Sequence, residues 1–189
     1  MISIPFNMPI VKERLKQHSD IKNIVLEMIN TAESSTDLKN DTNITDNITR
    51  YDWPKGNTKR KWSQFLKLYL DPCISNMLTA LGFETFKMDL IWFQQYVKGS
   101  AHGWHIHGAN YVGVYYLELG ESEPPTQFLE PSDKDFSLKT IDAKEGDIIL
   151  FPSSAWHRGP TITSDSRKTI VSWNMHLEDA TTTIKKNYI

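Results

Sequence analysis

Apolar positions follow a helical period in the first part of the chain. Across residues 11–28 they recur about every 3.6 residues with Lys and Glu between them, which predicts an amphipathic helix interrupted near Ser19. A second set at helical spacing predicts a helix that begins near Asn57, is disturbed at Pro72 and ends at Gly82. We therefore expect two helices before Gly82, where the helical pattern ends.

After Gly82 the pattern becomes typical of strands. Four runs rich in β-branched and aromatic residues lie at 88–97, 111–119, 147–151 and 169–175. Short strands separated by turn residues, without a helix long enough for a parallel crossover, favour an antiparallel sandwich or barrel. The expected fold class is α+β in one domain, 1–189, with a helical support region at 1–82 packed outside a β core at 83–180.

Composition and charge narrow the class of protein. The 189 residues carry a formal net charge of −2, so no overall field attracts nucleic acid. The start lacks a secretory leader, and no apolar run approaches the roughly 20 residues that cross a bilayer. We expect a cytoplasmic protein with no membrane partner. The single cysteine, Cys73, excludes an internal disulfide and a cysteine-based zinc cluster within the chain.

Four of the six histidines fall in two motifs at the edges of predicted strands. His105 and His107 are two apart on a strand, so their imidazoles share one face at roughly 6.6 Å of rise and can converge on one ion. His102 precedes them. In the second motif, a buried strand at 146–152 ends at a proline and a tight turn that leads to His157. The two motifs predict a metal site held by three histidines.

The spacing of these motifs resembles the signature of the cupins. The matching motifs are Gly99-x5-His105-x-His107 and Gly146-x5-Pro152-x4-His157. The glutamate that a cupin carries four or five residues after His107 is absent, since Tyr111 and Val112 stand there. A three-histidine cupin that binds substrate directly to its metal, without 2-oxoglutarate, is one alternative. A non-catalytic binding module stabilised by a structural zinc is another.

Residues 90–175 more closely resemble the Fe(II)/2-oxoglutarate-dependent dioxygenases, in particular small prolyl-hydroxylase-like members with His-x-His in place of His-x-Asp. The motifs that carry the resemblance are His105-Ile-His107, Tyr115-Tyr-Leu, Gly146-Asp-Ile-Ile-Leu-Phe, His157 and Arg167. It implies a double-stranded β-helix core of the jelly-roll or cupin type. It also implies Fe(II) held by His105, His107 and His157, with 2-oxoglutarate as cosubstrate, O2 as oxidant, and hydroxylation of a C–H bond with release of succinate and CO2.

The departure from the family pattern is at His107, where a carboxylate is usual. Three neutral histidines leave Fe(II) with two net positive charges, which dianionic 2-oxoglutarate would neutralise. An alternative stays open for this position. His107 could instead contact substrate or support a ligand, while water or a carboxylate such as Glu118 completes the metal.

The resemblance also assigns residues to the cosubstrate. Arg167 would hold the far carboxylate of 2-oxoglutarate as a bidentate fork, from a strand on which it shares a face with Val171 and Trp173. Arg158 is the alternative cation. Two tyrosines are candidates for hydrogen bonds to the same carboxylate, Tyr96 and Tyr116.

Substrate and partners are less constrained by the sequence. The candidates for substrate contact are His102, Trp104 and Trp156. The prolyl-hydroxylase-like resemblance favours a protein or peptide substrate over a small molecule, and the acidic balance disfavours a nucleobase. Trp53 and Trp62 are candidates for a homodimer contact.

Overall fold

The computed structural model describes residues 9–36, 46–53, 59–130 and 137–180. Its α-helices are α1 (His18–Asn30) and α2 (Lys61–Ala80). Its strands are β1 (Val11–Arg14), β2 (Arg50–Tyr51), β3 (Phe83–Tyr96), β4 (His102–His105), β5 (Tyr111–Glu118), β6 (Gln127–Glu130), β7 (Ser137–Thr140), β8 (Asp147–Pro152), β9 (His157–Gly159) and β10 (Lys168–Ala180). No helix among these residues is long and apolar enough to span a bilayer.

The strands form two antiparallel sheets. The larger sheet has the order β1-β8-β5-β10-β3-β2, and the smaller has the order β4-β9-β6-β7. Most neighbours are far apart in sequence, as when β10 lies between β3 and β5, whereas β6 and β7 are consecutive. Such crossovers between two facing sheets build the predicted double-stranded β-helix, and the α+β assignment is confirmed.

The N-terminal segment differs from the predicted helix. Val11–Arg14 form β1 and pair with β8, so that Val11 lies opposite Leu150, and α1 begins only at His18. The helical prediction for residues 11–14 is therefore wrong. Pairing with a distant strand satisfies the backbone groups of this segment, which local periodicity cannot reveal. Both β1 and β2 join the larger sheet, so the first 82 residues contribute strands as well as helices.

The second helix agrees better with its prediction. The predicted start near Asn57 lies outside the described residues, and α2 begins at Lys61 and continues through Pro72. Gly82 follows the helix with φ of 87°, a left-handed conformation that glycine adopts without strain. The helix ends where the sequence predicted.

The larger sheet buries both of its faces. One face packs against the helices, where Leu66 and Ile74 meet Val171 and Trp173 of β10. The opposite face turns toward the smaller sheet, where Ile170 packs in a second apolar cluster. Because side chains alternate along a strand, neighbouring residues of β10 serve two different cores. The histidine motifs lie on the side of the smaller sheet.

A close contact between β5 and β10 makes Gly113 sensitive to substitution. A Cβ at this position would lie 2.0 Å from Cε2 of the fully buried Trp173 indole. We expect Gly113→Ala to lower the free energy of unfolding by about 1–3 kcal/mol or more through overpacking. Urea unfolding measures the loss. Gly108→Ala is the control, because a Cβ there has no heavy atom within 4 Å, and equal stability of the two variants would contradict the prediction.

Candidate metal centre

Pairing of β4 with β9 creates the histidine cluster. His105 ends β4 and lies opposite His157, the first residue of β9. His107 follows two residues later, and its backbone N–H donates to the carbonyl of Ser153 over 3.0 Å. One ligand nitrogen from each of the three histidines lies within 4.8 Å of the others. The three side chains that the sequence selected therefore meet at one point.

Backbone hydrogen bonds define which nitrogens face the cluster. Nδ1 of His105 donates to the carbonyl of Gly103 over 2.7 Å, and Nδ1 of His157 donates to the carbonyl of Ala155 over 2.8 Å. A neutral imidazole with its hydrogen on Nδ1 presents the lone pair of Nε2 to a metal. Nε2 of His107 lies 3.2 Å from Nε2 of His157. Two nitrogens each about 2.1 Å from one ion are roughly 3.0–3.4 Å apart, so the pair fits shared coordination.

The electrostatics of the cluster keep His107 and His157 neutral. Burial, followed by the proximity of His105, lowers the pKa of His157 to about 3 and that of His107 to about 4. Neutral imidazoles carry the lone pairs that a metal requires. Among the residues that the structure describes, no fourth histidine, cysteine or carboxylate joins the three. The arrangement leaves coordination positions open, as catalytic metal sites do.

A pocket beside the cluster contains a buried lysine. Lys168, the first residue of β10, is 2% exposed, and its Nζ donates to the carbonyl of Pro124 over 3.0 Å. The ammonium lies 5.8 Å and 5.9 Å from the ring centroids of Tyr96 and Tyr116. Burial lowers the pKa of Lys168 to about 8, against the opposing effect of Glu123. A cation therefore faces the same pocket as the three histidines.

The two tyrosines predicted for cosubstrate binding both reach this pocket region. The Tyr96 hydroxyl is buried and has no hydrogen-bond partner within the described part of the chain. The Tyr116 hydroxyl donates to Oγ1 of Thr126 over 2.8 Å and accepts from the backbone N–H of the same residue. Thr126 lines the pocket, and its own hydroxyl hydrogen remains available for donation.

The structure does not bring Arg167 to the pocket. Its guanidinium donates to both carboxylate oxygens of Glu118, at 2.8 Å and 3.0 Å, and its side chain is 38% exposed. Val171 and Trp173 share its face as predicted, but that face packs against the helices. The pocket instead receives the alternate residues of β10, beginning with Lys168. A one-residue offset reverses the face of a strand, so the face of β10 that lines the pocket includes Lys168 and not Arg167.

Of the two alternative residues that the sequence suggested, Arg158 lines the pocket and Glu118 does not. Arg158 lines it, with Nε donating to Oε1 of Gln127 over 2.9 Å and its guanidinium 4.8 Å from the ring centroid of Trp104. Glu118, the alternative metal ligand, is bound to Arg167 and to Thr169, away from the histidines.

The predicted substrate residues occupy different positions. The His102 ring stacks on His105 with 3.9 Å between centroids, so it supports a histidine of the cluster. Trp104 lies beneath Arg158 outside the cluster pocket, and Trp156 is 45% exposed on the surface. Of the residues proposed for a dimer contact, Trp62 is buried in the core, which removes it from any surface.

A second cleft beside the cluster was not foreseen from the sequence. It is lined by Asp46, Trp53, Leu90, Trp92, His102, His105, Ile106, His107 and Asn174. Oδ1 of Asn174 is buried and has no hydrogen-bond partner among the described residues. The cleft and the lysine pocket share His102, His105 and His107 as a common wall.

The fold and the three-histidine site together define a double-stranded β-helix metalloprotein. Residues 90–174, which contain all three histidines and Lys168, match the profile of a family described as "Putative 2OG-Fe(II) oxygenase". This match agrees with the superfamily that the sequence motifs indicated. No curated protein matches the sequence significantly.

Solved structures share this fold at low sequence identity. An oxidoreductase of the 2OG-Fe(II) oxygenase family from Burkholderia pseudomallei is 11% identical, covers 91% of this chain and 87% of its own, and superposes with a TM-score of 0.68. A prolyl-4-hydroxylase from Pseudomonas putida is 13% identical, covers 91% and 95%, and gives 0.61. HygX from Streptomyces hygroscopicus, solved with nickel and 2-oxoglutarate, is 11% identical, covers 93% and 84%, and gives 0.61. At these identities the neighbours establish the fold.

Removal of one histidine tests the metal centre. We expect His105→Ala, His107→Ala and His157→Ala each to weaken binding of Co(II) or Fe(II) by more than about 100-fold, because loss of an outer partner alone typically costs roughly 10–100-fold. Competition with a chelator measures the affinity. His176→Ala is the control, since His176 pairs with Asp89 at the surface over 2.7 Å. Wild-type affinity in His107→Ala would show that this residue is not a ligand.

Proposed function

We propose that the protein is an Fe(II)- and 2-oxoglutarate-dependent oxygenase that hydroxylates a C–H bond of a peptide or small-molecule substrate, releasing succinate and CO2. One observation carries the proposal. The three histidine ligand atoms open onto a pocket that also contains the buried ammonium of Lys168. A metal centre beside a dehydrated cation is suited to a ligand that is both a chelator and an anion.

The donor set fits Fe(II). Three imidazole nitrogens suit this ion, and His105, His107 and His157 would hold it while leaving positions for a cosubstrate and dioxygen. Bound Fe(II) supplies the redox chemistry that couples oxidative decarboxylation of 2-oxoglutarate to C–H hydroxylation, with one oxygen atom of O2 entering succinate and the other the product. With neutral histidines and dianionic 2-oxoglutarate, the loaded centre has no net charge.

The protein's own groups position the cosubstrate. Lys168 would bind the far carboxylate, and the Thr126 hydroxyl, already accepting from Tyr116, would donate to the same group. The unpartnered hydroxyl of Tyr96 lies in the same buried region and could gain a partner there. Burial removes the competing water that would weaken each of these hydrogen bonds.

The second cleft is the candidate substrate site. Along β10, Asn174 lies roughly 20 Å of strand beyond Lys168, and the histidine cluster forms a wall of both pockets. Trp92 and the half-exposed Ile106 make apolar walls, and Oδ1 of Asn174 offers an acceptor. No lysine or arginine among the described residues lines this cleft, which favours a peptide or neutral molecule over a nucleic acid.

The alternatives from the sequence fit these observations less well. A three-histidine cupin that coordinates its substrate directly gives no role to the buried ammonium of Lys168, whose burial costs free energy unless an anion compensates it. A structural zinc takes four protein ligands, whereas the described residues supply three.

Binding of 2-oxoglutarate to the anaerobic Fe(II) protein tests the proposal. We expect the weak visible charge-transfer absorption of an iron–keto-acid chelate, and succinate formation once O2 is admitted. Lys168→Met should weaken 2-oxoglutarate binding by at least about 30-fold, since loss of one partner from a buried charge pair costs about 2 kcal/mol or more. Arg167→Met is the matched control and should bind normally.

Two results would count against this assignment. Absence of the absorption despite bound iron would rule out 2-oxoglutarate as cosubstrate. A large loss of 2-oxoglutarate affinity in Arg167→Met, with none in Lys168→Met, would show that Arg167 binds the far carboxylate.

The affinity for 2-oxoglutarate should also depend on pH. Because the pKa of Lys168 in the free protein is about 8, the ammonium is present below this pH and is lost above it. We expect an approximately tenfold weaker affinity at pH 9 than at pH 7, and no such decline in Lys168→Arg, whose guanidinium stays charged. Glu123 remains a carboxylate across this range, and burial raises the pKa of Tyr96 and Tyr116, which stay neutral. Equal affinities of the wild type at the two pH values would contradict the prediction.

A further inference from the structure

We propose that Asp46 is a positioning residue of the metal centre, and that its carboxylate supplies from outside the coordination sphere the negative charge that His107 does not bring. The inference rests on the three-histidine metal site of the proposed function. Asp46 belongs to a stretch rich in Asn, Asp and Thr residues between the two helices. In the structure its side chain is 1% exposed and forms part of the wall beside the cluster.

One residue, Gly103, connects Asp46 to a metal-binding histidine. The backbone N–H of Gly103 donates to Oδ1 of Asp46 over 2.7 Å. The carbonyl of the same glycine accepts from Nδ1 of His105 over 2.7 Å. The two groups belong to the adjacent peptides that meet at Cα of Gly103, so the carboxylate fixes the position of the residue whose carbonyl orients the His105 ring. A histidine whose Nδ1–H is held by an acceptor is a more basic ligand at Nε2.

His102 provides a second connection. Nδ1 of His102 accepts from the amide of Gln94 over 3.2 Å, which assigns the ring hydrogen to Nε2. That nitrogen lies 3.8 Å from Oδ2 of Asp46. The His102 ring then stacks on His105 with 3.9 Å between centroids and 23° between planes. Asp46 thus contacts both groups that support His105. One is Gly103, whose carbonyl accepts from Nδ1 of His105, and the other is the His102 ring that stacks on it.

The segment that carries Asp46 is fixed by its own hydrogen bonds. Asn47 exchanges two backbone hydrogen bonds with Ala101, at 2.9 Å and 3.2 Å. The side-chain amide of Asn47 donates to the carbonyl of Gly99 over 3.2 Å, and the hydroxyls of Thr49 and Ser100 lie 2.7 Å apart. Four hydrogen bonds of the neighbouring residues 47 and 49 therefore hold the segment against residues 99–101, which precede β4, in addition to the bond that Asp46 itself accepts.

Three neutral histidine ligands do not compensate the charge of a metal ion, and the Asp46 carboxylate lies close enough to do so. With three neutral histidines, a divalent ion keeps both positive charges within its coordination sphere, one more than with two histidines and a carboxylate. A buried carboxylate nearby interacts with that charge more strongly than an exposed one, because little solvent lies between them. Asp46 restores the missing charge without occupying a coordination position.

Removal of the charge with the shape retained tests the inference. We expect Asp46→Asn, whose amide oxygen can still accept from Gly103, to bind Co(II) roughly 10–100-fold more weakly in chelator competition performed without 2-oxoglutarate. Asp89→Asn, at the surface beside His176, is the matched control and should bind like the wild type. The thermal midpoint of the metal-free proteins separates this effect from a loss of folding. An unchanged metal-free midpoint together with weaker binding supports the proposal.

Three outcomes would overturn the inference. In the first, Asp46→Asn binds Co(II) as tightly as the wild type. In the second, the metal-free midpoint falls while the affinity of the folded protein is retained, which makes the role structural. The third concerns His102→Phe, which is measured if Asp46→Asn does not fold. This variant retains a ring against His105 but loses the N–H toward Asp46, so we expect it to bind Co(II) severalfold more weakly. Wild-type affinity in His102→Phe would contradict the inference. Failure of the wild type itself to bind Co(II) would instead refute the metal site.

Discussion

Burial of both faces of the six-stranded sheet is the constraint on which the rest of this structure depends. Each central strand must supply apolar residues to the helical layer and, at alternate positions, residues to the space between the sheets. Trp173 and Val171 belong to the first set, and Ile170 and Lys168 to the second. Because the strand cannot slip by one residue without exposing an indole to the site, its register is fixed and the lysine points inward.

Water exclusion links this packing to the chemistry of the site. The same burial that stabilises the fold holds His107 and His157 in their neutral forms and brings the pKa of Lys168 down to about 8. Neutral imidazoles and a dehydrated ammonium are costly to bury unless each finds a ligand. The protein therefore gains from a bound cation at the histidines and a bound anion at the lysine, which 2-oxoglutarate and a divalent metal satisfy together.

The sequence was sufficient for features encoded locally. His105, His107 and His157 could be selected because a strand places residues two apart on one face and because a proline turn follows β8. Other features depend on contacts between distant segments. The strand at Val11–Arg14 exists through its pairing with β8. The choice between Arg167 and Lys168 depends on which face of β10 packs against the helices and which lines the pocket. Nothing in a run of Asn, Asp and Thr residues distinguishes Asp46 from its neighbours.

The segment 46–53 has a consequence for how this fold can be divided. It lies outside the region that matches the family, yet Asp46 and Trp53 line the cleft beside the histidines, and Tyr51 pairs with Gln94 of β3. A fragment cut at the limits of the family match would retain the three histidines but lack one wall of the site and an edge strand of the larger sheet. The matched region is thus not a self-sufficient module, and variation in the N-terminal half is a direct route to altering what the cleft accepts.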